Sequence, residues 1–299
     1  MILKNNLIIA RIKGGLGNQL FCYAAAKALS LRTGLELVLD YETGFKRDFT
    51  YKRNYELKYF HLPCRLASQS EMLNPFERYR RAFYKFISRF QKMHKKIYIE
   101  EGYKNFNLIN YFPNKTVILD GLWQNQKYFY NISSVLKNDL IFDLNIPNQI
   151  KELIDKIKNS NSVAIHVRWF DTNESFENNN LNIMYYNSAI KNIKSTIINP
   201  HFFIFSDNIN ATKTFLQFNE SIVTYASCDT NNLHSIYDMY LMSLCKNFIV
   251  SNSTFSWWSA WLCKEINPTY MIPHNQIELV GANIWDPIKD TWRKCTLNN

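Results

Sequence analysis

The chain has 299 residues, of which 46% are hydrophobic and 20% charged, so it can bury a large core, and its length favours two domains. A formal net charge of +10 favours an anionic partner: a nucleotide, nucleic acid or an acidic membrane surface. The six cysteines are scattered, without a C-x-x-C pair or a histidine cluster at ligand spacing, which argues against a disulfide framework or zinc site and for reduced, buried thiols.

The beginning of the chain, MILKNNLIIARIKGG, contains only a short apolar run. That run is too short for the core of a signal peptide or for a membrane span, and no later run approaches about 18 apolar residues. We therefore expect a cytoplasmic protein, either free or docked on the inner face of the cytoplasmic membrane.

The first 40 residues predict a strand, a glycine loop, a helix and a second strand. The apolar segment NLIIARI precedes the loop GGLGNQ, the alanine-rich helix ends at Gly34, and LELVLD follows. This order is a βαβ unit that opens a Rossmann-like domain. The loop lacks the lysine of a P-loop and the third glycine of the dinucleotide fingerprint. Asn18 is expected at or near the N-cap, and Gly15 and Gly17 would let a ligand approach the backbone, although a tight turn without a ligand explains the motif equally well.

The segment from 75 to 96 is basic and aromatic at helical spacing. It predicts a long amphipathic helix that packs its aromatic face on its own domain and turns its basic residues to solvent. A helix that binds nucleic acid and a helix that lies on a membrane surface are the two alternatives. The aromatic residues are Phe76, Tyr79, Phe83, Phe86 and Phe90, and the basic residues are Arg78, Arg80, Arg81, Lys85 and Arg89.

A linker is expected near Pro147, so we divide the chain into domains at 1–150 and 151–299. From residue 163 onward, predicted strands and helices alternate. Such alternation indicates a parallel sheet with helices on both faces, in which every strand ends at the edge where ligands gather.

Polar residues follow several of these strands. Arg168 comes directly after one strand, Asp207 ends another, and SNSTFS at 251–256 follows a third. Hydroxyls and the N–H groups of a helix N-terminus suit a phosphate, and Arg168 adds a planar fork for further phosphate oxygens, so together these residues predict a diphosphate site. Taken singly, each has a plainer explanation: a helix cap for Ser253, Thr254 or Asp207, and an ion pair with Asp171 for Arg168.

Four motifs, in this order, resemble those of the α-1,2-fucosyltransferases, in particular the bacterial enzymes of glycosyltransferase family 11. They are GGLGNQLFCYAAAKAL at 14–29, AIHVRWFD at 164–171, FFIFSDN at 202–208 and NFIVSNSTFSWWSAWL at 247–262. The last motif is highly specific, and the resemblance spans nearly the whole chain.

The resemblance implies an α/β fold of the GT-B class, in which two Rossmann-like domains face each other across a cleft that holds the active site. It implies that the domain at 151–299 binds GDP-β-L-fucose and that the domain at 1–150 lies on the acceptor side. The implied reaction is inverting transfer of L-fucose to O2 of a terminal β-galactoside, with no required cofactor or metal. The acceptor would be a galactose-terminated glycan, free or lipid-linked, in the biosynthesis of an O-antigen or capsule.

The same resemblance implies roles for individual residues. Arg168 would hold the pyrophosphate, assisted by Ser253 and Thr254. His166 and Asp238 would bind guanine, and Asn18, from the first domain, would reach the fucose and the transferring oxygen. The remaining donor-side candidates are Phe255, Gly15, Gly17 and Asp207.

The residues after Arg168 depart from the family, whose members commonly read HVRRGDY where this chain reads HVRWFDT. Trp169 and Phe170 either form a stacking platform for an acceptor sugar or pack against the neighbouring domain. The resemblance does not identify the general base. The acidic candidates are Asp171, Glu174 and Glu177, of which Glu174 is also an acceptor candidate.

Two other functions fit parts of the sequence. A GT-B glycosyltransferase with another donor sugar or linkage would keep the fold and change the substrates. A non-catalytic nucleic-acid-binding protein would use the net charge and the basic helix, and it would bind with a strong dependence on salt. We expect no nucleic-acid partner, because a basic enzyme that acts on an anionic donor needs none.

Overall fold

The computed structural model describes residues 6–101, 108–113, 115–170, 180–218, 220–226, 235–265, 267–273 and 292–295. Its contacts divide the chain into two compact units, Met1–Asp143 (unit 1) and Leu144–Asn299 (unit 2). In the sequence, the units meet between Asp143 and Leu144. The domain boundary that we expected, after residue 150, lies a few residues further along the chain and inside the helix Asn148–Lys158. Pro147 stands directly before that helix as its N-cap.

Unit 1 is built on a parallel sheet of five strands in the order β3-β2-β1-β5-β4. Its helices and strands are β1 (Leu7–Arg11), α1 (Leu16–Thr33), β2 (Glu36–Asp40), β3 (Arg65–Leu66), α2 (Glu77–Phe90), β4 (Tyr98–Glu100), β5 (Val117–Asp120) and α3 (Ser133–Asp139). The predicted βαβ opening is confirmed by β1, α1 and β2. Short 3₁₀ turns lie at Leu57–Tyr59, Met93–Lys95, Leu108–Asn110, Gln126–Tyr128 and Tyr130–Ile132.

The central position of β1 and α1 follows from their composition. Every residue of β1 except Arg11 is buried, as expected of a strand covered on both faces. Helix α1 is buried around most of its circumference from Leu16 to Leu29, which its alanines permit because they let neighbouring elements approach closely. It ends at Gly34, whose φ of 72° places it in the left-handed conformation typical of a helix stop.

Unit 2 is built on a parallel sheet of six strands in the order β11-β10-β9-β6-β7-β8. The predicted alternation of strands and helices is confirmed. Its elements are α4 (Asn148–Lys158), β6 (Asn161–Val167), α5 (Ile183–Thr196), β7 (Pro200–Ser206), α6 (Ile209–Leu216), β8 (Val223–Tyr225), α7 (Ser235–Ser243), β9 (Asn247–Ile249), α8 (Thr254–Trp261), β10 (Tyr270–Pro273) and β11 (Trp292–Cys295).

In both sheets the first strand of the unit lies inside the sheet, and the later strands are added on its two sides. In unit 1, β2 and β5 flank β1; in unit 2, β7 and β9 flank β6. The chain therefore reverses its direction of travel across the sheet between β1 and β5 and again between β6 and β9. In open α/β sheets, ligands bind outside the carboxyl ends of the strands at such a point.

The orientation predicted for helix α2 is wrong. The aromatic residues that we expected to pack on the domain are exposed, whereas the polar side faces unit 1: Arg81 donates to Thr43 Oγ1 at 2.7 Å, and Lys85 donates to Glu100 Oε1 at 2.7 Å. The physical reason is that this part of unit 1 offers oxygen acceptors, which the basic side chains reach from the helix. The helix also ends at Phe90 rather than near 96.

No described cysteine side chain takes part in a disulfide. Cys22, Cys245 and Cys263 are buried and Cys64 is half-buried. Burial raises the pKa of the Cys22 thiol to about 12 and that of Cys64 to about 11, so both are protonated and unreactive near neutral pH. Among the helices in the described ranges, none has an apolar stretch long enough to cross a bilayer.

A buried ion cluster closes the carboxyl end of the unit 1 sheet. Arg11 Nη1 donates to both carboxylate oxygens of Asp120, at 3.0 and 3.1 Å, and Lys13 Nζ donates at 2.8 Å. The Tyr98 hydroxyl also donates to this carboxylate. Burial alone would raise the pKa of Asp120, but the two cations and the donated hydrogen bonds outweigh it and hold this pKa well below its usual range.

We expect Asp120→Asn to lower the free energy of unfolding at pH 7 by about 3 kcal/mol, because it leaves Arg11 and Lys13 facing an uncharged group. Because the pKa of Asp120 is lowered by folding, its ionised carboxylate contributes fully to the free energy of unfolding above the usual pKa of about 4. This contribution is lost as the pH falls towards the pKa in the folded state. Urea unfolding at pH 7 and pH 3 measures both effects, and the difference between wild type and variant should shrink at pH 3.

Glu36→Gln is the matched control, because its carboxylate pairs with Arg65 at an exposed position. That variant should change stability by less than about 1 kcal/mol. A loss in Asp120→Asn that is the same at both pH values would contradict the electrostatic origin of the effect.

Candidate functional site

Three neighbouring strands of unit 2 bring the predicted polar residues to one edge of the sheet. Strand β6 pairs with β7 from Asn161↔Pro200 to Val167↔Ser206, and with β9 up to Ile165↔Ile249. Because all three strands are parallel, the residues that follow them share the carboxyl edge. These residues are Arg168 after β6, Asp207 after β7 and Ser251 after β9.

His166 lies at the point where the strand order of unit 2 reverses. It is 6% exposed, and its Nδ1 lies 2.7 Å from Ser251 Oγ, so a hydrogen bond joins β6 to the segment after β9. The ring of Phe255 lies against the imidazole, with 5.5 Å between ring centroids. Ser256 Oγ extends this network, 3.2 Å from Ser251 Oγ. The structure thus brings His166 together with Ser251 and Phe255, although Ser251 is 85 residues away in sequence.

Burial controls the charge of His166. Removal from water disfavours the imidazolium form, and the nearby positive charge of Arg168 adds to the effect, so the pKa of His166 is lowered to about 3. The ring is therefore neutral near pH 7. Because Nδ1 is engaged by Ser251 Oγ, Nε2 is the ring nitrogen left to donate or accept a hydrogen bond, for example with the edge of a heterocyclic base.

Helix α8 begins directly after this cluster. Ser253 is its N-cap, and its side chain accepts a hydrogen bond from Phe255 N at 3.2 Å; Thr254 is the first helical residue. The plainer explanation, a helix cap, thus describes what Ser253 does in this structure. Buried tryptophans fix the helix in place: Trp257 and Trp258 pack edge to face, 5.0 Å apart. The specific motif therefore includes core anchors as well as polar groups.

Arg168 forms its ion pair with Asp207. Asp207 also accepts from Trp169 N at 3.0 Å, so this one carboxylate holds the guanidinium and the backbone that follows it. The guanidinium lies over the ring of Phe170, 5.5 Å from its centroid. Helix α6 is capped by Asn208, which accepts from Ala211 N, so the cap that we considered for Asp207 is provided by its neighbour.

The structure gives Trp169 a packing position within unit 2. Its indole Nε1 donates to Thr212 Oγ1 at 2.9 Å, and its ring meets Phe215 edge to face at 5.1 Å. Both partners belong to α6, and the indole joins the hydrophobic core beside that helix. The indole is half-buried in this position, and its role as a stacking platform for an acceptor sugar stays a prediction. Phe170, whose N–H donates to Asn180 Oδ1 at 2.8 Å, lies beside the Arg168 guanidinium instead.

Of the four acidic candidates in unit 2 that remain, the structure describes one, Asp238. Asp238 is buried in the first turn of α7, which packs against α8. Asp171, Glu174 and Glu177 lie outside the described residues. Within the described residues, no group of three or more His, Cys, Asp or Glu side chains is arranged to hold a metal ion.

In the glycine loop of unit 1, the N-cap is Gly15 and helix α1 begins at Leu16, so Asn18 lies in the first turn and not at the cap. The glycine that the loop requires is Gly14. Its φ is +76°, and a Cβ there would meet Asn18 Nδ2 at 2.8 Å. A Cβ at Gly15 would make only ordinary contacts, and Gly17 is buried in the helix.

Two glutamines that the sequence analysis overlooked organise this loop. Gln19 is fully buried; its Nε2 donates to the carbonyls of Gly14 and Asn54, each at 2.9 Å. Gln124 Nε2 donates to Asn18 Oδ1 at 2.7 Å and so crosses from the segment after β5 to the helix after β1. A polar residue shortly after a buried apolar segment was the available signal for Gln124; its partner is 106 residues away in sequence.

Comparison with protein families gives a match over residues 7–280 to the model described as Glycosyl transferase family 11. An alpha-1,2-colitosyltransferase of Escherichia coli is 30% identical over 296 residues, covering 96% of this chain and 98% of that protein. The O-antigen biosynthesis glycosyltransferase WbnK of Escherichia coli is 34% identical over 282 residues, covering 84% of this chain and 88% of that protein.

Among solved structures, a mutant of Arabidopsis thaliana FUT1 in complex with GDP matches with a TM-score of 0.55 at 14% identity, over 91% of this chain and 72% of that one. The fucosyltransferase NodZ from Bradyrhizobium matches with a TM-score of 0.52 at 17% identity, over 88% and 96%. At these identities the likeness shows the fold alone. The fold class is GT-B, as the sequence resemblance implied.

The buried His166 predicts a specific pH dependence of stability. In the unfolded chain an imidazole binds a proton below about pH 6.5. In the folded protein the ring of His166 stays neutral until the pH falls close to its lowered pKa of about 3. The stability of the wild type should therefore fall as the pH drops from 7.5 to 5, by up to about 1.4 kcal/mol per pH unit from this group. His166→Gln removes that part of the slope. Urea unfolding across this range measures it, and parallel curves for the two proteins would refute the prediction.

Proposed function

The chain belongs to glycosyltransferase family 11, and on this premise we propose that it transfers L-fucose from GDP-β-L-fucose to O2 of a terminal β-galactoside, with inversion. The observation that supports the donor most directly is the pairing of two groups at one sheet edge. The neutral, buried imidazole of His166 suits a nucleobase, and the guanidinium of Arg168, just after the end of β6, suits a diphosphate.

The reaction is a single displacement at the anomeric carbon. The acceptor hydroxyl oxygen forms the new bond while the bond from the anomeric carbon to the phosphate oxygen breaks, so the electron pair leaves with GDP. The hydroxyl proton passes to a general base, for which Asp171, Glu174 and Glu177 are our candidates. Negative charge develops on the departing diphosphate, so the protein must provide positively charged groups or hydrogen-bond donors that already lie beside it.

We propose that Arg168 meets this demand, with Ser253 and Thr254 at the N-terminus of α8 as further donors. Asp207 holds the guanidinium, so the N–H groups of Arg168 are already oriented when the donor binds. A phosphate oxygen then competes with this carboxylate for the N–H groups. In this proposal His166 and Asp238 contact guanine, and Phe255 keeps the imidazole in place by packing against its ring. No metal is required, because the arginine and the helix N-terminus supply positive charge.

A second donor follows from a specific observation, the similarity to a colitosyltransferase over nearly the full chain. Colitose lacks one hydroxyl of fucose, and a site that hydrogen-bonds that hydroxyl discriminates strongly against the sugar without it. A site that leaves the position empty would accept both. The similarity to an O-antigen glycosyltransferase supports a surface polysaccharide precursor as the acceptor, free or lipid-linked.

A donor panel tests the proposal. We expect GDP release with GDP-β-L-fucose and a galactose-terminated acceptor, at a rate unchanged by EDTA, and much slower release with GDP-mannose and UDP-galactose. Preference for the GDP derivative of colitose would replace the donor and keep the enzyme class. Equal binding of GDP-fucose, GDP-mannose and UDP-galactose would exclude the donor assignment.

We expect Arg168→Ala to lower kcat/KM by about 100- to 1000-fold, because one preorganised contact to the developing charge is lost. Arg168→Lys keeps the charge but not the fork and should be intermediate. The matched control is Lys213→Gln, which removes an exposed cation of α6 in the same unit and should keep full activity. Unchanged kcat/KM in Arg168→Ala, with the thermal midpoint intact, would exclude the proposed role.

Asn18 remains our catalytic candidate in unit 1, with Gln124 as the residue that positions its amide. We expect Asn18→Ala to lower kcat more than Gln124→Leu does, and the double variant to be no slower than Asn18→Ala alone, because the two residues act through one hydrogen bond. Kinetics of the double-mutant cycle, with KM for the donor measured in parallel, check this. Additive losses would show that Gln124 acts independently of Asn18.

A further inference from the structure

Helix α2 carries an aromatic stripe on the side that faces away from its own unit. The stripe is Phe76, the N-cap residue just before the helix, followed by Tyr79, Phe83, Phe86 and Phe90; these last four recur at spacings of three and four residues and therefore share one face. Their exposed fractions are 71%, 71%, 59%, 56% and 77%. Isolated exposed aromatic residues are ordinary in proteins, but a continuous row on one helix marks a surface that binds something.

The opposite face of α2 is what attaches the helix to unit 1. Arg80 donates to the carbonyl oxygens of Leu73 and Asn74 at 3.2 and 3.1 Å, and Ser88 Oγ accepts from Tyr98 N at 3.0 Å. These contacts join those of Arg81 and Lys85 described above. The attachment uses these polar atoms together with Tyr84, which packs against the hydrophobic core of unit 1. It leaves the aromatic stripe on the exposed side of the helix.

The charges around the stripe define the partner. Arg78 and Arg89 are exposed on the helix beside the stripe, and Lys92 and Lys95 are exposed just after it. Between residues 76 and 96 there are eight Lys or Arg residues and one acid, Glu77, which is half-buried near Lys46. Phenylalanines with flanking Arg and Lys match a surface that is negative outside and apolar beneath, as the interface of an anionic bilayer is.

We propose that the aromatic stripe of α2 inserts into the interface of a lipid bilayer rich in anionic headgroups, with Arg78 and Arg89 contacting the headgroups. A second copy of the chain fits this face less well, because a symmetric pair would bring the arginines of both copies together. The proposal concerns a lipid surface and does not depend on the donor or the acceptor proposed above.

Vesicle flotation with the full chain tests it. The probes are vesicles of phosphatidylcholine alone and vesicles with one part phosphatidylglycerol to three parts phosphatidylcholine, at low salt. We expect binding to the mixed vesicles only, and a marked reduction at high salt because the headgroup attraction is screened. Arg78→Gln with Arg89→Gln should weaken binding roughly thirtyfold, from about 1 kcal/mol for each basic residue at the surface.

The apolar part of the interaction is tested by Phe83→Ser with Phe86→Ser, which should weaken binding to the mixed vesicles at least tenfold. Phe49→Ser with Ile198→Ser is the matched control, because these side chains are 79% and 80% exposed outside α2, and it should bind as wild type does. All the variants change exposed residues, so circular dichroism and glycosyl transfer to a soluble acceptor should match the wild type.

Three outcomes would overturn the proposal. The first is no binding of the wild type to the mixed vesicles at low salt. The second is equal binding by the wild type and the Phe83/Phe86 variant. The third is a wild type that sediments as a dimer, or binds single-stranded RNA, through contacts that the Phe83/Phe86 variant loses; the stripe would then serve protein or nucleic acid. Because the readout is lipid binding, none of these outcomes depends on whether the enzyme uses GDP-fucose.

Discussion

In each sheet the first strand of the unit lies in the interior, with later strands paired on both of its sides. This strand order determines where the candidate residues lie. A strand in the middle of a parallel sheet has neighbours on both sides, so the segment that leaves its carboxyl end emerges between two other chain segments. In unit 2 this brings Ser251 to His166 and Asp207 to Arg168. In unit 1 it brings Gln124 to Asn18. The two units thus share one geometric principle with different side chains.

Much of this architecture could be predicted from the sequence, because the elements around the motifs carry strong signals. Strands such as β6 are short segments rich in Val, Ile and Ala, and α1 has the alanine content of a buried helix. The pairing of side chains could not be predicted. Arg168 bonds to Asp207, 39 residues later in the sequence, because strand pairing brings β6 and β7 side by side. Strands β3 and β4 have two and three residues, too few to show a period.

Helix α2 shows a different limit of sequence analysis. Its periodicity identified two faces, but periodicity contains no information about which face the protein covers. The choice depends on the neighbouring surface, where Thr43 and Glu100 offer oxygen atoms to Arg81 and Lys85. Hydrogen bonds, an ion pair and the packing of Tyr84 hold one face of the helix, and the aromatic face is exposed. A hydrophobic pattern is thus a reliable guide to helix formation and a weaker guide to helix orientation.

The carboxylate of Asp207 has a consequence for turnover. An arginine whose only counter-charge was the diphosphate of the product would bind that product tightly, and product release would then limit the rate of turnover. Here the guanidinium already has a counter-charge within the protein. If Arg168 holds the diphosphate as proposed, Asp207 can take the place of the departing nucleotide, so its release exposes no unpaired cation. The same pair that orients the arginine would therefore moderate product inhibition.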